Sequence, residues 1–393
     1  MNDTGNIEKR IKRHVVGKTQ TFFIATLPGI ESVCFNELRQ LGIPVAEAAI
    51  SKGGITFNGR LHDCYLANLK LRTANRILMR LFTFTASNFR QLEKKLSNMP
   101  WELYLSKDTA CELNVTATHS RLIHTDAIAD RFKTSIGRQP GTAAAQYAAN
   151  DAGKSQQIFV RVQDDVFTVS IDSSGELLHK RGVKIQGGRA PVRETMAAAI
   201  LALAGYQPGE PLIDPMCGSG TFSIEAAMIA KNIPAGWYRK FAFMDWPAFK
   251  SARWEHIRRE AENKIATTAE PFIFASDTDA DTIQKLSRLT QDNHLSDTIN
   301  VSAADFFELQ PQSITPPGLI VLNPPYGRRI GSKNTAEKMF GRIGEKLKND
   351  FNGWKVALLM PDKHLLTKFP FKTTRRDLTH GGLQITLVTG KIR

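Results

Sequence analysis

The sequence predicts an α/β protein in which an N-terminal α+β module precedes a doubly wound, mostly parallel sheet that ends in a β-hairpin. Its 393 residues correspond to two or three domains. Over residues 21–172 short apolar strands alternate with amphipathic helices. From Glu194 onward longer helices separate the apolar strands, a pattern typical of parallel pairing.

The charge balance indicates the chemistry of the partner. Lysine and arginine total 52 against 38 aspartate and glutamate residues, a formal net charge of +14, which favours a polyanion and above all nucleic acid. With 42% hydrophobic and 23% charged residues the chain is ordinary globular material. We therefore expect a well-packed core.

A membrane anchor, a disulfide framework and a metal site are all unexpected. The longest uncharged apolar run, 196–206, is too short to cross a bilayer, and no apolar segment follows the basic N-terminus as a secretory signal requires. No CxxC pair occurs among the four cysteines, which are Cys34, Cys64, Cys111 and Cys217. The prediction is a cytoplasmic protein with reduced thiols and no metal.

The first half begins with a basic segment, 1–20, which has little apolar content and predicts a loosely held arm that either solubilises the chain or contacts a partner. The spacing of apolar residues then predicts six strands and four helices. The strands are at 21–26, 53–57, 77–85, 110–117, 157–163 and 165–172, and the helices at 29–41, 61–71, 89–99 and 125–136.

A basic, glycine-containing segment, 178–193, has no acidic residue and predicts the linker between the halves. The second half then predicts strands at 211–213, 272–276, 299–302, 318–322 and 355–360. Segments 373–378 and 383–389 flank Gly381 and Gly382, which predicts a closing hairpin.

A glycine-containing turn, 214–221, lies between a short apolar strand and a helix at 222–230, where a backbone can approach a ligand closely. It lacks the GxxxxGK[ST] pattern and the third glycine of the dinucleotide fingerprint, which disfavours a triphosphate or a dinucleotide. Asp214 at the strand end suits a cofactor with a cationic amino-acid portion, as S-adenosylmethionine has. A tight turn without a ligand is the alternative.

Two further carboxylates follow later strands. Asp277 closes the strand at 272–276 and can accept both ribose hydroxyls of an adenosine. Asp305 can accept a hydrogen bond from an adenine amino group, or it is a solvated loop carboxylate. The aromatic-rich segment 231–270 is interpreted as an insertion over the sheet, its rings forming a satellite core rather than a base-stacking surface.

The most specific pattern is Asn323-Pro324-Pro325-Tyr326, at the carboxyl end of the strand at 318–322. An amino group conjugated to a heteroaromatic ring is a poor nucleophile, because its lone pair is delocalised. The Asn323 side-chain oxygen and the Pro324 carbonyl can each accept one N–H and favour a tetrahedral nitrogen, while Tyr326 stacks on the base. A cysteine at the position of Tyr326 would indicate covalent attack on a pyrimidine ring. Because this chain has tyrosine there, methylation of pyrimidine C5 is disfavoured. A rigid strand-to-helix turn is the alternative.

These patterns together resemble class I S-adenosylmethionine-dependent methyltransferases that act on exocyclic amino groups. Segments 178–182 (LHKRG) and 190–195 (APVRET) narrow the resemblance to the THUMP-domain-containing RlmL family of 23S rRNA guanine-N2 methyltransferases, whose members are often called N6-adenine-specific DNA methylases. The resemblance implies four parts. These are a basic arm and ferredoxin-like segment at 1–60, a THUMP RNA-binding domain at 61–175 that completes it, a linker at 176–192, and a Rossmann-like methyltransferase domain at 193–393.

The resemblance also implies roles for individual residues. Asn323, Pro324, Pro325 and Tyr326 correspond to the catalytic segment that holds the target base. Asp277 corresponds to the ribose ligand and Asp305 to the adenine ligand. The remaining cofactor-binding residues, on the methionine side, are Asp214, Pro215, Cys217, Gly218, Gly220, Thr221 and Thr195.

The chain departs from the family pattern in two places. Val183 stands where the family usually has an aromatic residue, and the chain ends after one catalytic domain. We therefore expect the second module, which makes 7-methylguanine, to be absent and only N2-type activity to remain. The implied function is N2 methylation of guanine in RNA, with large-subunit rRNA favoured. N6-adenine methylation of DNA, guanine-N2 methylation of tRNA and a non-catalytic RNA-binding assembly factor stay open.

Overall fold

The structure is a computed structural model, and it describes residues 2–106, 109–137, 155–183, 192–311, 316–325, 333–369, 371–380 and 383–393. Its contacts divide the chain into two compact units. The first unit comprises Met1–Thr26, Phe35–Leu178 and Arg239–Arg259, and the second comprises Leu27–Cys34, His179–Tyr238 and Glu260–Arg393. Most of the predicted linker, 184–191, and the hairpin turn at Gly381 and Gly382 lie outside the described residues.

The first unit is built on a seven-stranded sheet in the order β2-β3-β1-β4-β7-β6-β5. Its strands are β1 (Gln20–Thr26), β2 (Ile50–Ser51), β3 (Gly54–Gly59), β4 (Ala74–Thr85), β5 (Ala110–Thr118), β6 (Ser155–Gln163) and β7 (Val166–Asp172). The pair β5–β6 is parallel and the other described pairs are antiparallel. Four predicted helices are present as α2 (Glu31–Gln40), α3 (Leu61–Lys70), α4 (Phe89–Leu96) and α5 (Thr125–Gly137). The predicted α+β module is thus confirmed; the sequence pattern missed β2, which is two residues long and exposed.

The N-terminal segment is ordered, so the prediction of a loosely held arm was wrong. Residues Asn2–Ile11 form helix α1, and Lys12–Val16 continue it as a π-helical turn. Ile11 and Val15, four residues apart, point to one side and are buried at 6% and 0% exposure. Arg10 forms an ion pair with Glu102, with 2.8 Å between Nη1 and Oε1. Two apolar anchors among many basic residues were enough to fix the segment.

The second unit contains the predicted doubly wound sheet and hairpin. The strand order is β10-β9-β8-β11-β12-β14-β13, with the first five strands parallel and β14 antiparallel to both of its neighbours. The strands are β8 (Leu212–Asp214), β9 (Ile273–Asp277), β10 (Ile299–Ala303), β11 (Leu319–Leu322), β12 (Lys355–Met360), β13 (Thr373–His380) and β14 (Leu383–Lys391). The strand order reverses between β8 and β11, and ligands bind at such a switch point in open α/β sheets.

Helices cover both faces of this second sheet. These helices are α6 (Glu194–Leu203), α7 (Thr221–Ala230), α9 (Ala280–Asp292) and α10 (Lys333–Asp350), whereas most of α8 (Ser251–Glu262) belongs to the first unit. On β11, Leu319 and Val321 join the core cluster that contains α6, α7 and α9, and Ile320 and Leu322 join the cluster that contains α10. This alternation explains why β11 is apolar throughout, since both of its faces are buried.

The aromatic segment after α7 differs in part from its predicted place. Residues Arg239–Arg259 belong to the first unit and not to the unit that contains the second sheet. There Phe243 stacks on Tyr65 of α3 with ring centroids 4.4 Å apart, and Trp254 meets both rings edge-on. The Trp246 indole N–H donates to the Gln156 side chain at 2.8 Å. Phe241, Phe243 and Trp254 are buried, which confirms a structural core and not a base-stacking surface.

The described helices include none that is both long and apolar enough to span a bilayer. All four cysteines are free thiols, and Cys34, Cys64 and Cys111 are buried. Burial raises the pKa of the Cys111 thiol to about 11, so this thiol is protonated at neutral pH.

Candidate active site

A cavity of about 630 Å3 opens at the carboxyl ends of the second sheet's strands, at the switch point between β8 and β11. Eight of the residues predicted from the sequence contribute to its wall. They are Pro215, Cys217, Gly218, Thr221, Asp277, Asp305, Asn323 and Pro325. Segments more than a hundred residues apart in the sequence are thus brought together by the parallel strands.

Asp214 ends β8 next to this cavity and is 1% exposed. Its Oδ2 accepts a hydrogen bond of 2.8 Å from the Ser223 hydroxyl, and its Oδ1 has no donor among the described residues. Burial, with a smaller contribution from the charge of Asp277, raises the pKa of Asp214 to about 7, although the Ser223 hydroxyl opposes this shift. The carboxylate is thus hydrogen-bonded by the hydroxyl and the backbone N–H of Ser223, and the described residues supply it with no cation.

The raised pKa predicts how the stability of the second unit depends on pH. The folded state holds the Asp214 proton up to a pH of about 7, whereas the unfolded chain releases it near 3.8, the ordinary pKa of an aspartate side chain. Between these values the folded state binds more protons, so its stability decreases as the pH rises, by up to about 4 kcal/mol over the window. We expect hydrogen exchange of β8 amides to show this decrease in wild type and to show much less of it in Asp214→Asn. Identical pH profiles for the two proteins would contradict the assignment.

The glycine turn is held by the neighbouring strand β9. The Cys217 amide donates to the Ser276 carbonyl at 2.9 Å, and the Gly218 amide donates to Asp277 Oδ2 at 2.9 Å. The Asp279 amide donates to the other oxygen, Oδ1, at 3.1 Å. Asp277 is therefore fixed in orientation, and each oxygen keeps a further acceptor position for a ligand hydroxyl.

Gly218 and Gly220 both have positive φ, of 51° and 77°, but their surroundings differ. A Cβ on Gly218 would have no heavy atom within 4 Å, so this backbone faces open space. A Cβ on Gly220 would lie 2.4 Å from Leu286 Cδ1 on α9. Only glycine allows helix α7, which starts after Gly220, to pack this closely on α9.

We expect Gly220→Ala to lower the stability of the second unit by about 2–4 kcal/mol, through left-handed strain and overpacking against Leu286. Gly209→Ala is the matched control, because Gly209 has φ 82° and open space around its Cβ. The control should lose only the strain contribution of about 1 kcal/mol. Hydrogen exchange of α7 amides measures both variants, and equal losses would show that contact with Leu286 does not matter.

Asn323 follows β11 at the centre of the site. Its side-chain Oδ1 is buried and accepts no hydrogen bond from any described residue. Pro324 is buried and Pro325 is exposed on the wall. Tyr326 lies outside the described residues, so its predicted stacking stays a prediction. A buried acceptor without a donor costs free energy, and an N–H of a ligand would satisfy it.

The wall of the cavity is acidic, whereas the whole chain has a net positive charge. The described wall contains three carboxylates, Asp277, Asp279 and Asp305, and neither lysine nor arginine. Such a wall suits a cationic ligand with hydroxyl and amino donors and disfavours phosphates. The two unsatisfied acceptors, Asp214 Oδ1 and Asn323 Oδ1, point to the same chemistry, which S-adenosylmethionine offers.

Some predicted residues lie behind the wall rather than on it. Thr195 is fully buried in the first turn of α6, and Asp214, Gly220 and Pro324 also do not contribute to the wall. Sequence reasoning missed other wall residues, chiefly Met216, Thr282, Phe306, Phe307 and Met339. Phe306 and Phe307 directly follow Asp305, and the Phe307 amide donates a hydrogen bond of 2.9 Å to Asp305 Oδ1. Their position next to a predicted site residue could have identified them as wall residues. Met339 lies on α10, and its apolar spacing predicts only a core position.

The doubly wound fold, the glycine turn and the strand-end carboxylates define a class I S-adenosylmethionine-dependent methyltransferase. The model of the RMKL-like methyltransferase domain family matches residues 181–381, and the RlmL ferredoxin-like domain model matches residues 21–78. The chain belongs to this RMKL-like methyltransferase family, which confirms the resemblance inferred from the sequence.

Curated relatives cover the chain to different extents. The chain is 30% identical to the "Putative RNA methyltransferase slr0064" of Synechocystis sp. over 94% of its own length and 96% of that protein. It is 31% identical to the ribosomal RNA large subunit methyltransferase K/L of Psychromonas ingrahamii over 88% of its own length. In that comparison it spans 47% of the relative, about half its length.

Solved structures agree with this assignment. SMU.472, described as "a putative methyltransferase complexed with SAH", superposes with a TM-score of 0.83 at 29% identity, covering 96% of this chain and 99% of that one. A Listeria monocytogenes protein described as a "predicted N6-adenine-specific DNA methylase" gives a TM-score of 0.84 at 28% identity, covering 96% and 97%. SAH is what S-adenosylmethionine becomes after losing its methyl group. The cofactor of this chain is S-adenosylmethionine.

Proposed function

We propose that this protein transfers a methyl group from S-adenosylmethionine to the exocyclic N2 amino group of a guanine in RNA, with large-subunit rRNA as the favoured substrate. The observation that carries the proposal is the buried, unsatisfied Oδ1 of Asn323 beside the acidic cavity. Support for RNA comes from the names of the Synechocystis and Psychromonas relatives and from the net charge of +14.

In this proposal one set of residues binds the cofactor and another orients the target amino group. Asp277 and Asp305 orient the nucleoside part of the cofactor through its hydroxyl and amino donors, and Asp214 supplies negative charge near its ammonium group. Asn323 Oδ1 and the Pro324 carbonyl each accept a hydrogen bond from one N–H group of the target amino group. These two acceptors localise the nitrogen lone pair and aim it at the methyl carbon.

Bound S-adenosylmethionine would supply an electrophilic methyl carbon to the nitrogen lone pair that Asn323 and Pro324 orient, with its sulfur leaving as a neutral thioether. The target nitrogen would then lose one proton to solvent. No strong base is needed, in agreement with a described wall that holds neither histidine nor lysine.

Methylation of the N6 amino group of adenine in DNA is the second candidate, because Asn323 can accept from either amino group. The similar Listeria structure carries that description. Since the acceptor atoms are shared, the nucleic acid and the base must be identified by experiment.

The test is to delete the gene and compare digested rRNA, tRNA and DNA nucleosides with the parent strain by mass spectrometry. We expect N2-methylguanosine to be lost from 23S rRNA and to be restored by wild type but not by Asn323→Ala. Loss of N2-methylguanosine from tRNA would move the substrate to tRNA, and loss of N6-methyladenine from DNA would replace the proposal by the second candidate. If every pool is unchanged, a non-catalytic RNA-binding role becomes the better account.

A further inference from the structure

A second cavity, of about 590 Å3, lies over the sheet of the first unit, and all of its described wall residues belong to that unit. Strand register explains its composition. Arg80 of β4 pairs with Ser170 of β7, Ser170 pairs with Phe159 of β6, and Phe159 pairs with Asn114 of β5. These four residues therefore form one row across four neighbouring strands, and directly paired side chains share a face of the sheet. We call this space the sheet cavity.

Two arginines face the sheet cavity, and the described residues provide neither of them with a carboxylate partner. Arg161 lies two residues after Phe159 and so on the same face; its Nη2 donates to Gln163 Oε1 at 2.6 Å. The Arg80 guanidinium lies 5.4 Å from the ring centre of Phe23, and the described residues give Arg80 neither an ion pair nor a hydrogen bond. Burial, followed by the charge of Arg161, lowers the pKa of Arg80. Two like charges are thus held close together, an arrangement that an anion would stabilise.

Besides the two arginines, the wall of the sheet cavity contains an amide, an aromatic ring and a carboxylate, which a site for a simple anion would not need. Asn114 Nδ2 is buried and has no acceptor among the described residues, so the wall also contains an unused donor on β5. Phe159 presents a half-buried ring in the same row. Asp126, in the first turn of α5, adds an acidic acceptor to the wall. Inorganic phosphate would use the arginines and Asn114 but would be repelled by Asp126, and it would make no use of the Phe159 ring, which has the Arg76 guanidinium 5.2 Å from its centre.

A nucleotide uses all of these groups at once, because it combines a phosphate, a flat base and hydroxyl or amino donors. We propose that the sheet cavity holds one nucleotide of a single-stranded segment of the RNA substrate. The phosphate lies between Arg80 and Arg161, the base stacks on Phe159, and a base or ribose donor points to Asp126. The cavity volume is within the range of about 300–1,000 Å3 for small-ligand sites. This inference rests on the proposed function, since it assigns a subsite for the same substrate.

The test uses the full chain and a fluorescein-labelled single-stranded RNA dodecamer, with binding followed by anisotropy at several salt concentrations. We expect Arg80→Gln with Arg161→Gln to weaken binding by about tenfold or more and to reduce the slope of log affinity against log salt by about 1. Arg90→Gln is the matched control, because Arg90 is an exposed arginine of α4 in the same unit and not part of the cavity wall. It should change the affinity less than about twofold.

A second pair of variants tests the sheet cavity at an exposed position, where a substitution should not unfold the protein. Thr116 is exposed on the rim of the sheet cavity and pairs with Arg161 across β5 and β6. Thr116→Glu should weaken RNA binding by about tenfold, whereas Thr116→Gln should leave it within about twofold of wild type. The affinity for S-adenosylmethionine, measured by calorimetry, should be the same in all of these variants.

The outcomes separate this inference from the proposed function. RNA affinity that is unchanged by the double arginine variant and by Thr116→Glu overturns the sheet cavity as an RNA subsite, even if the enzyme methylates RNA. A duplex of the same sequence that competes as strongly as the single strand also overturns it. If no RNA is methylated but the variants bind the dodecamer more weakly as expected, the proposed reaction fails while the subsite stands.

Discussion

Asn323→Ala is expected to lower the rate of methyl transfer by at least about 10²- to 10³-fold, the usual cost of removing one oriented hydrogen-bonding group from an active site. The reason is that Asn323 Oδ1 is buried at the cavity and receives no hydrogen bond from the part of the chain that the structure describes, so it can accept an N–H of the target amino group. The variant should bind S-adenosylmethionine and RNA as wild type does, because the cofactor contacts assigned above come from Asp214, Asp277 and Asp305. Single-turnover methyl transfer with labelled cofactor measures the rate.

Asn323→Asp is the conservative control for this prediction. It keeps an oxygen acceptor at the same position, so we expect activity between wild type and Asn323→Ala. The alanine variant also removes a buried oxygen to which no described residue donates, and its stability should therefore be equal to or above that of wild type. Undiminished turnover in Asn323→Ala would overturn the mechanism, and a loss of stability would show that Asn323 is a structural residue.

Much of the wall of the candidate site could be predicted from the sequence, because parallel strands end at one edge of their sheet. Each apolar strand is easily recognised, and the residues after it are thereby placed side by side. This is how Asp214, Asp277 and Asn323 were found, although 109 positions separate the first from the last. The doubly wound order itself follows from strands that are separated by helices.

Other features depend on long-range packing that local patterns do not encode. The aromatic residues 241–254 predicted a core, but the sequence gives no sign that the ring of Tyr65, in the first unit, completes it. The N-terminal segment has too few apolar residues for its pattern to predict a helix, yet Ile11 and Val15 bury almost completely. Met339 lies on the wall of the cavity because of how α10 packs, and no motif in the neighbouring sequence marks it as a site residue.

A second large effect is expected at Arg181, which lies in the LHKRG segment used to recognise the family. Its side chain is 2% exposed, and that of Glu225 on α7 is 1% exposed. Arg181 Nε and Nη2 donate to the two carboxylate oxygens of Glu225, each at 3.2 Å. Glu194 of α6 is near the same guanidinium; burial raises its pKa, and the charge of Arg181 opposes that shift. One buried cation thus compensates the charges on two helices of the cofactor-binding unit.

Arg181→Met should destabilise the second unit by about 3–5 kcal/mol, because it leaves the Glu225 carboxylate buried without its cation. The double variant Arg181→Met with Glu225→Leu removes both charges and should recover most of that loss. Lys133→Met in the exposed pair with Asp130, whose side chains are 39% and 70% exposed, is the control and should cost less than about 1 kcal/mol. Hydrogen exchange of the α7 amides, and of α5 for the control, gives these free energies.

The same variant connects stability with cofactor binding. Helix α7 begins directly after Gly220, so a loss of order at Glu225 should reach the glycine turn and weaken S-adenosylmethionine binding together with α7 protection. In the double variant both properties should return together. If Arg181→Met loses less than about 1 kcal/mol, or if the double variant loses the sum of the two single losses, the buried pair does not organise α7, because coupled charges cannot behave additively.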